Sequence, residues 1–304
     1  MAGLLGQESA GVGADAGPAP STVAAAAAAA GDFDATAPAD LLPLAGLALL
    51  VGLMLAPFVR WIRQRIPLQD TGPARAAFEL RDVAALMLVF LGLQVVAGVI
   101  VTALDLNVDS FLVALPLTVG IQGAACAFVL ALAWRRKGLA ALGLRRHGAA
   151  ESVAFGAVSY FGSGPFLFAL LAVTPYILQE WFGMPHEPQD VAVMIAGAKG
   201  LERLFVPLFA VILIPLMEEL LFRGFMQGAL EARLGVAPAL VLTSLAFAAL
   251  HGASALIPIF GLSLILGLVM LRTRRLVACW FVHALHNGLT TGLLFFAPDT
   301  VIGS

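Results

Sequence analysis

Read for its alternation of apolar and polar positions, the chain is a series of long apolar runs separated by short polar turns. The runs fall near residues 41–59, 84–104, 111–134, 153–177, 204–222, 238–254, 256–271 and 276–296. A membrane-crossing helix needs about 20 apolar residues, and most of these runs reach that length. The sixth and seventh are short and are parted by Ser254, Ala255 and Pro258. The pattern therefore predicts an all-α protein, a polytopic membrane helical bundle of about eight transmembrane helices.

The turns between the runs carry the charge. Arg60, Arg63, Arg65, Arg75 and Arg81 follow the first run, and Arg135, Arg136, Lys137, Arg145 and Arg146 follow the third. Arg223 and Arg233 follow the fifth, and Arg272, Arg274 and Arg275 the seventh; of the 17 Lys and Arg residues only Lys199 and Arg203 fall on the other side. The positive-inside rule makes the richer side cytoplasmic and puts both termini outside. The largest outside loop, residues 179–203, contains Trp181 as an interfacial anchor and His186 as an exposed loop histidine. Composition agrees: 61% of residues are hydrophobic and 12% charged, against about 25% charged in a soluble domain. Mean hydropathy is +0.97. Cys126 and Cys279 lie in separate apolar runs without a paired motif and read as small core residues.

The chain divides into four segments. Residues 1–38 form an Ala/Gly/Pro-rich tail, with no Lys or Arg, that is expected to stay disordered. Residues 39–150 hold about three N-terminal helices, residues 151–297 a core with polar groups, and residues 298–304 a short C-terminal tail. No internal repeat, phosphate-binding glycine loop, H-E-x-x-H or G-x-S-x-G occurs, and no basic patch suggests nucleic acid. Gly224-x-x-x-Gly228 matches the close-packing pattern of membrane helices.

The chemistry lies in polar residues that interrupt the last apolar runs. Glu218-Glu219-Leu220-Leu221-Phe222-Arg223 places three ionisable groups at the end of one run, where each charge costs roughly 2.5–3.5 kcal/mol at a membrane-helix centre. Glu219 and Arg223 are spaced i,i+4 and can pair, which makes them supporting groups. Glu218 projects about 100° away and is free to work in a cavity. Phe247 and His251 share one helical face, as do His283 and Asn287, with His286 beside them. Gly235 to Pro238 reads as the turn between the fifth and sixth helices, 17 residues after Glu218 and 16 before His251. In an antiparallel pair both side chains then lie about 25 Å from the turn. His283 stands eight residues past Arg275, about 12 Å into the membrane. Three helices thus aim a carboxylate, imidazoles and an amide at one layer.

That set suits acyl-bond hydrolysis. Glu218 and His251 can activate a water, and His283 with Asn287 can donate to the oxyanion of a tetrahedral intermediate. These motifs hold no Ser or Cys nucleophile. The same residues also permit a divalent metal such as zinc, held by Glu218, His251 and His283. Water activation without a cofactor and with a metal both fit the sequence.

Glu218-Glu219-x-x-x-Arg223, Phe247-x-x-x-His251 and His283-x-x-x-Asn287 together resemble the CAAX prenyl protease and bacteriocin-processing family. This is the type II CAAX protease or abortive-infection family of intramembrane endopeptidases. The resemblance spans about residues 150–296, and Gly224 and Gly252 also fit it. It implies a helical membrane fold with a cavity, with Glu218 and His251 as water-activating residues and His283 and Asn287 as oxyanion donors. Glu219, Arg223 and Phe247 would support the site, and His286 falls outside the motif, as a residue that backs the site or packs. The family has been described as metalloproteases. Eukaryotic members cleave prenylated C-termini, but nothing in this sequence implies a prenylated substrate.

The expected partners are the lipid bilayer and a membrane-associated peptide or protein substrate, and the expected location is a bacterial inner (plasma) membrane. The sequence sets no oligomeric state. Two competing readings are a non-catalytic immunity or partner-binding module of the same fold and a proton-coupled transporter. The transporter would be expected to show an inverted repeat.

Overall fold

The computed structural model describes residue 60 and residues 77–108, 110–136, 138–144, 148–184 and 189–297. All belong to one compact unit, Ala48–Ser304. The expected tail 1–38, first span 41–59 and C-terminal residues 298–304 lie outside the described residues, as do Arg63, Arg65, Arg75, Lys137, Arg145, Arg146 and His186.

Among the described residues every regular element is helical. The helices are α1 Leu80–Ala103, α2 Phe111–Arg135, α3 Ala149–Phe182, α4 Asp190–Gly197, α5 Glu202–Leu234, α6 Val236–Ala249, α7 Leu256–Thr273 and α8 Leu276–Phe296. Helix α5 is continuous but not uniform, with two π-helical stretches at Pro207–Leu213 and Leu220–Met226. Among the described residues five stretches are long and apolar enough to cross a membrane: α1, α2, α3, α5 and residues 253–273. Helix α6 has only 14 residues, and α8 dilutes its 21 apolar-rich residues with His283, His286 and Asn287. The membrane-bundle class stands on these five helices. The segment expected as an outside loop contains α4, whose Ile195 packs with Ala198, Val206 and Leu294.

Burial separates the helices. In α7, 56% of the apolar window is buried inside the protein, against 6% in α1. A helix apolar all round and so little covered needs an apolar solvent, and Leu88, Leu91, Val95 and Val99 of α1 are exposed accordingly. Helix α7 is the centre and packs on α3, α6 and α8. The two peripheral helices are joined at the end where α1 begins and α2 finishes. There Arg136, just past α2, makes a forked ion pair to Asp82, 2.9 Å at one arm, and donates to Ala77 O at 3.1 Å.

The α5–α6 turn forms where expected. Gly235 ends α5 at φ +84°, a conformation that costs side-chain-bearing residues most, and α6 begins at the next residue. Phe222, thirteen residues before Gly235, packs edge-on against Phe247, twelve residues after it, at 5.0 Å. The hairpin therefore keeps the depth register that residue counting predicts.

The two glycines of Gly224-x-x-x-Gly228 are not equivalent. A Cβ on Gly224 would stand 3.1 Å from Leu142 O and 3.5 Å from a Leu276 methyl, whereas one on Gly228 would meet nothing within 4 Å. Gly224→Val should therefore destabilise the detergent-solubilised protein by about 1–3 kcal/mol through overpacking. Gly228→Ala should be neutral or stabilising by up to about 1 kcal/mol, the helix-propensity gain. Thermal unfolding in one detergent checks both, and equal losses at the two positions would contradict the assignment.

Candidate active site

Arg223 and Glu219 are the most buried charges in the group, with no exposed side-chain surface. Arg223 Nη1 lies 3.2 Å from Glu219 Oε1, as the i,i+4 spacing predicts. Its Nη2 donates to Ser263 Oγ at 2.7 Å on α7, and its guanidinium lies 4.4 Å over the Phe247 ring on α6. The same Glu219 oxygen receives His283 Nδ1 from α8 at 2.9 Å. One ion pair therefore binds α5, α6, α7 and α8 together.

His283 has its second nitrogen turned the other way, Nε2 standing 3.7 Å from Glu218 Oε2. That distance is beyond a direct hydrogen bond. A carboxylate only accepts, so the proton between His283 and Glu219 sits on Nδ1, and Nε2 is the atom left for chemistry. Glu218 is 13% exposed where Glu219 is 0%. The adjacent carboxylates thus diverge, one closed into the ion pair and the other toward partly open space. Gln122 Nε2 on α2 donates to the remaining Glu218 oxygen, Oε1, at 3.2 Å.

His251 lies just outside a helix, contrary to the expected helical face. Helix α6 ends at Ala249, and Gly252 with φ +88° turns the chain away. His251 Nδ1 lies 2.8 Å from Phe247 O. A carbonyl accepts, so Nδ1 carries the hydrogen and Nε2 is bare in the neutral ring. The ring rests 4.5 Å from Phe247, whose opposite neighbours are Phe222 at 5.0 Å and His283 at 5.7 Å. Phe247 is thus the hub through which His251 joins the group. His251 itself makes no hydrogen bond or ion pair to Glu218 among the described residues.

Asn287 is engaged elsewhere. In the first π stretch the Ile214 N–H reaches back five residues to Phe209 O. The next carbonyl in that register, Ala210 O, would wait for the N–H of residue 215, which is Pro215 and has none. Asn287 Nδ2 donates to Ala210 O at 2.9 Å, and Trp280 Nε1 donates to Ile212 O at 2.9 Å. His286 pairs with Tyr160 OH of α3 through Nδ1 at 3.1 Å.

The structure thus gathers Glu218, Glu219, Arg223, Phe247 and His283, adds His251 through Phe247, and turns Asn287 toward the α5 backbone. Among the described residues no three His, Cys, Asp or Glu side chains come close enough to hold a metal ion. Glu218, His251 and His283 as placed do not make the two-His, one-Glu set, and metalloprotease chemistry has no support in this donor geometry. A small apolar recess lined by Leu86, Met87, Phe90, Leu221, Phe222 and Met226 contains none of the polar groups. Ser263, Gln122 and Tyr160 are the site neighbours that sequence reasoning missed. Gln122 had a readable signal, an amide inside an apolar span; a lone Ser or Tyr has none.

The group lies within the segment that matches a known family. The family described as "Rce1-like: Type II CAAX prenyl endopeptidase Rce1-like" matches residues 200–289, which carry Glu218, Glu219, Arg223, Phe247, His251, His283 and Asn287. Over that segment, under a third of the 304 residues, the chain is similar to type II CAAX prenyl endopeptidases. No curated protein and no solved structure matches the chain.

The buried pair makes a stability prediction. Arg223→Met strands the Glu219 carboxylate and should cost about 3–5 kcal/mol, while Ser263→Ala, which unpairs one guanidinium N–H, should cost about 1–3 kcal/mol. Combining Arg223→Met with Glu219→Gln should recover part of the first loss, because no uncompensated charge is left. Unfolding midpoints of the purified variants measure all three.

Proposed function

We propose that the protein is an intramembrane endopeptidase that hydrolyses a peptide bond of a membrane-associated protein or peptide. What carries this reading is the convergence of Glu218, His283 and the His251–Phe247 pair from three helices, inside the one segment that matches a protease family. In the proposed reaction a water attacks the substrate carbonyl carbon. Glu218 and His251 Nε2 act as its base, taking one proton and returning it to the departing amine nitrogen as the C–N bond breaks. The carbonyl oxygen gains the negative charge. His283 Nε2, when that ring is charged, donates to it, as does the second N–H of Asn287, whose first is held by Ala210 O.

Glu219 and Arg223 set the orientation of His283 in this scheme. Glu219 Oε1 holds Nδ1, so the ring cannot turn without breaking a buried contact. Phe247 fixes the plane of both imidazoles. The proposed placement is an inner membrane with both termini outside the cytoplasm, which follows from the basic turns. The proposed partners are the lipid bilayer and a peptide or protein substrate at or in it.

Comparing the membrane proteomes of cells carrying wild type and Glu218→Ala should reveal peptide termini that depend on the carboxylate. With such a peptide, Glu218→Ala and His251→Ala should each lower kcat/KM by at least about 10²-fold while the variants insert and unfold as wild type does. Asn287→Ala should lose up to about 10²-fold if its free N–H serves the oxyanion. Cleavage at wild-type rates by both purified Glu218→Ala and His251→Ala would end the proteolytic reading. A cellular phenotype surviving all of Glu218→Ala, His251→Ala, His283→Ala and Asn287→Ala would favour the non-catalytic partner-binding module.

A further inference from the structure

Helix α2 lies outside the matched segment 200–289, yet it reaches the candidate base. Its buried residues Gln122, Cys126, Val129 and Ala133 fall at i, i+4, i+7 and i+11, one face of a helix. That face packs on α5: Cys126 Sγ approaches Met217 O at 3.6 Å, and Gln122, one turn earlier, places Nε2 3.2 Å from Glu218 Oε1. Gln122 is only 9% exposed, and its own Oε1 is buried without a hydrogen-bond partner. A half-satisfied amide in an apolar span is costly, and packing alone would be served better by Leu or Met.

The groups facing Glu218 divide its two oxygens. Oε1 takes the Gln122 amide, while Oε2 points toward His283 Nε2 at 3.7 Å. Cys126 on α2 and the adjoining Glu219, itself committed to Arg223 and His283, complete the surroundings. A glutamate has three rotatable bonds, so without the amide no hydrogen bond from α2 would hold the Glu218 carboxylate in this position.

We propose that Gln122 is a positioning residue for Glu218, its Nε2–H holding one carboxylate oxygen so that the other is presented to His283 and the reacting water. This rests on the reading of Glu218 as the group that activates water. It makes α2, beyond the family segment, part of the catalytic apparatus rather than a lipid-facing scaffold alone.

The full-length protein in detergent tests this with two variants. Gln122→Met keeps the length and volume and removes the donor; Gln122→His keeps an N–H. On a peptide identified by the membrane comparison, Gln122→Met should lower kcat by about ten-fold or more with KM unchanged, the scale of a lost hydrogen bond to a charged group. Gln122→His should regain part of that loss. A wild-type kcat in Gln122→Met, or a loss that only follows the fraction of folded protein, would overturn the proposal. A second readout needs no substrate: the rate at which dicyclohexylcarbodiimide modifies Glu218, located by peptide mass spectrometry. Freed from its donor, Glu218 should label several-fold faster in Gln122→Met, with Glu219 unchanged, and equal rates would overturn the proposal. Faster labelling in a protein that cleaves nothing would sustain the Gln122–Glu218 link and instead defeat the proteolytic reading.

Discussion

An arginine with no exposed side-chain surface, set among apolar helices, must be neutralised inside the protein, and much of the bundle's centre follows from that requirement. Arg223 meets Glu219 on its own helix, Ser263 on α7 and the Phe247 ring on α6. Glu219 in turn holds His283 on α8. Replacing such a pair with apolar side chains is often neutral or stabilising, so its presence is not explained by stability. It bears on direction instead: Arg223 and Glu219 pair within α5, and their remaining polar groups find Ser263, the Phe247 ring and His283 only in this packing. These ties favour the observed arrangement, and in it the second nitrogen of His283 faces Glu218.

Backbone irregularity carries the same purpose into α5. The glutamates occupy a six-residue α-helical stretch, Ile214–Glu219, between two π-helical stretches. Such π stretches are frequent at functional sites, because each wide turn releases carbonyls and rotates the next stretch of helix by about 100° per inserted residue. Here the released groups are answered from α8. Asn287 and Trp280 satisfy Ala210 O and Ile212 O, one of which Pro215 leaves without its main-chain donor. A membrane offers no water to do this, so a side chain must. The amide of Asn287 therefore has a structural task beside any catalytic one, and its two N–H groups allow both.

Contacts between helices in lipid gain little from the hydrophobic effect, since the surrounding tails are as apolar as the side chains. Association instead rests on close approach and on polar ties. Gly224 lets the Leu142 carbonyl come near α5, and Gly156 does the same for the Ala278 carbonyl of α8, 3.1 Å from where a Cβ would stand. The polar ties include the ion pair, the Tyr160–His286 contact between α3 and α8, and the Gln122–Glu218 contact between α2 and α5. Several of these reach the same layer, so the forces that assemble the bundle also hold the site.

The run of apolar segments, the Gly235 turn and the pairing of Glu219 with Arg223 were all legible in the sequence. Each depends on local spacing: run length, a residue suited to positive φ, an i,i+4 interval. Residue counting from Gly235 put Glu218 and His251 at one depth, and Phe222 and Phe247, one turn nearer Gly235 on each side, do meet; a rise per residue needs no knowledge of neighbours. The three motifs carried the family reading for the same reason. What local spacing could not supply was which atom meets which across helices. The His283 bridge between two adjacent glutamates, the attachment of His251 through Phe247, the diversion of Asn287 to Ala210 O and the reach of Gln122 from α2 all join residues 36 to 96 positions apart or depend on a helix ending early. Rotation of each helix about its axis sets those contacts. In apolar sequences with little one-sided pattern, that rotation is decided only when buried polar groups find their partners.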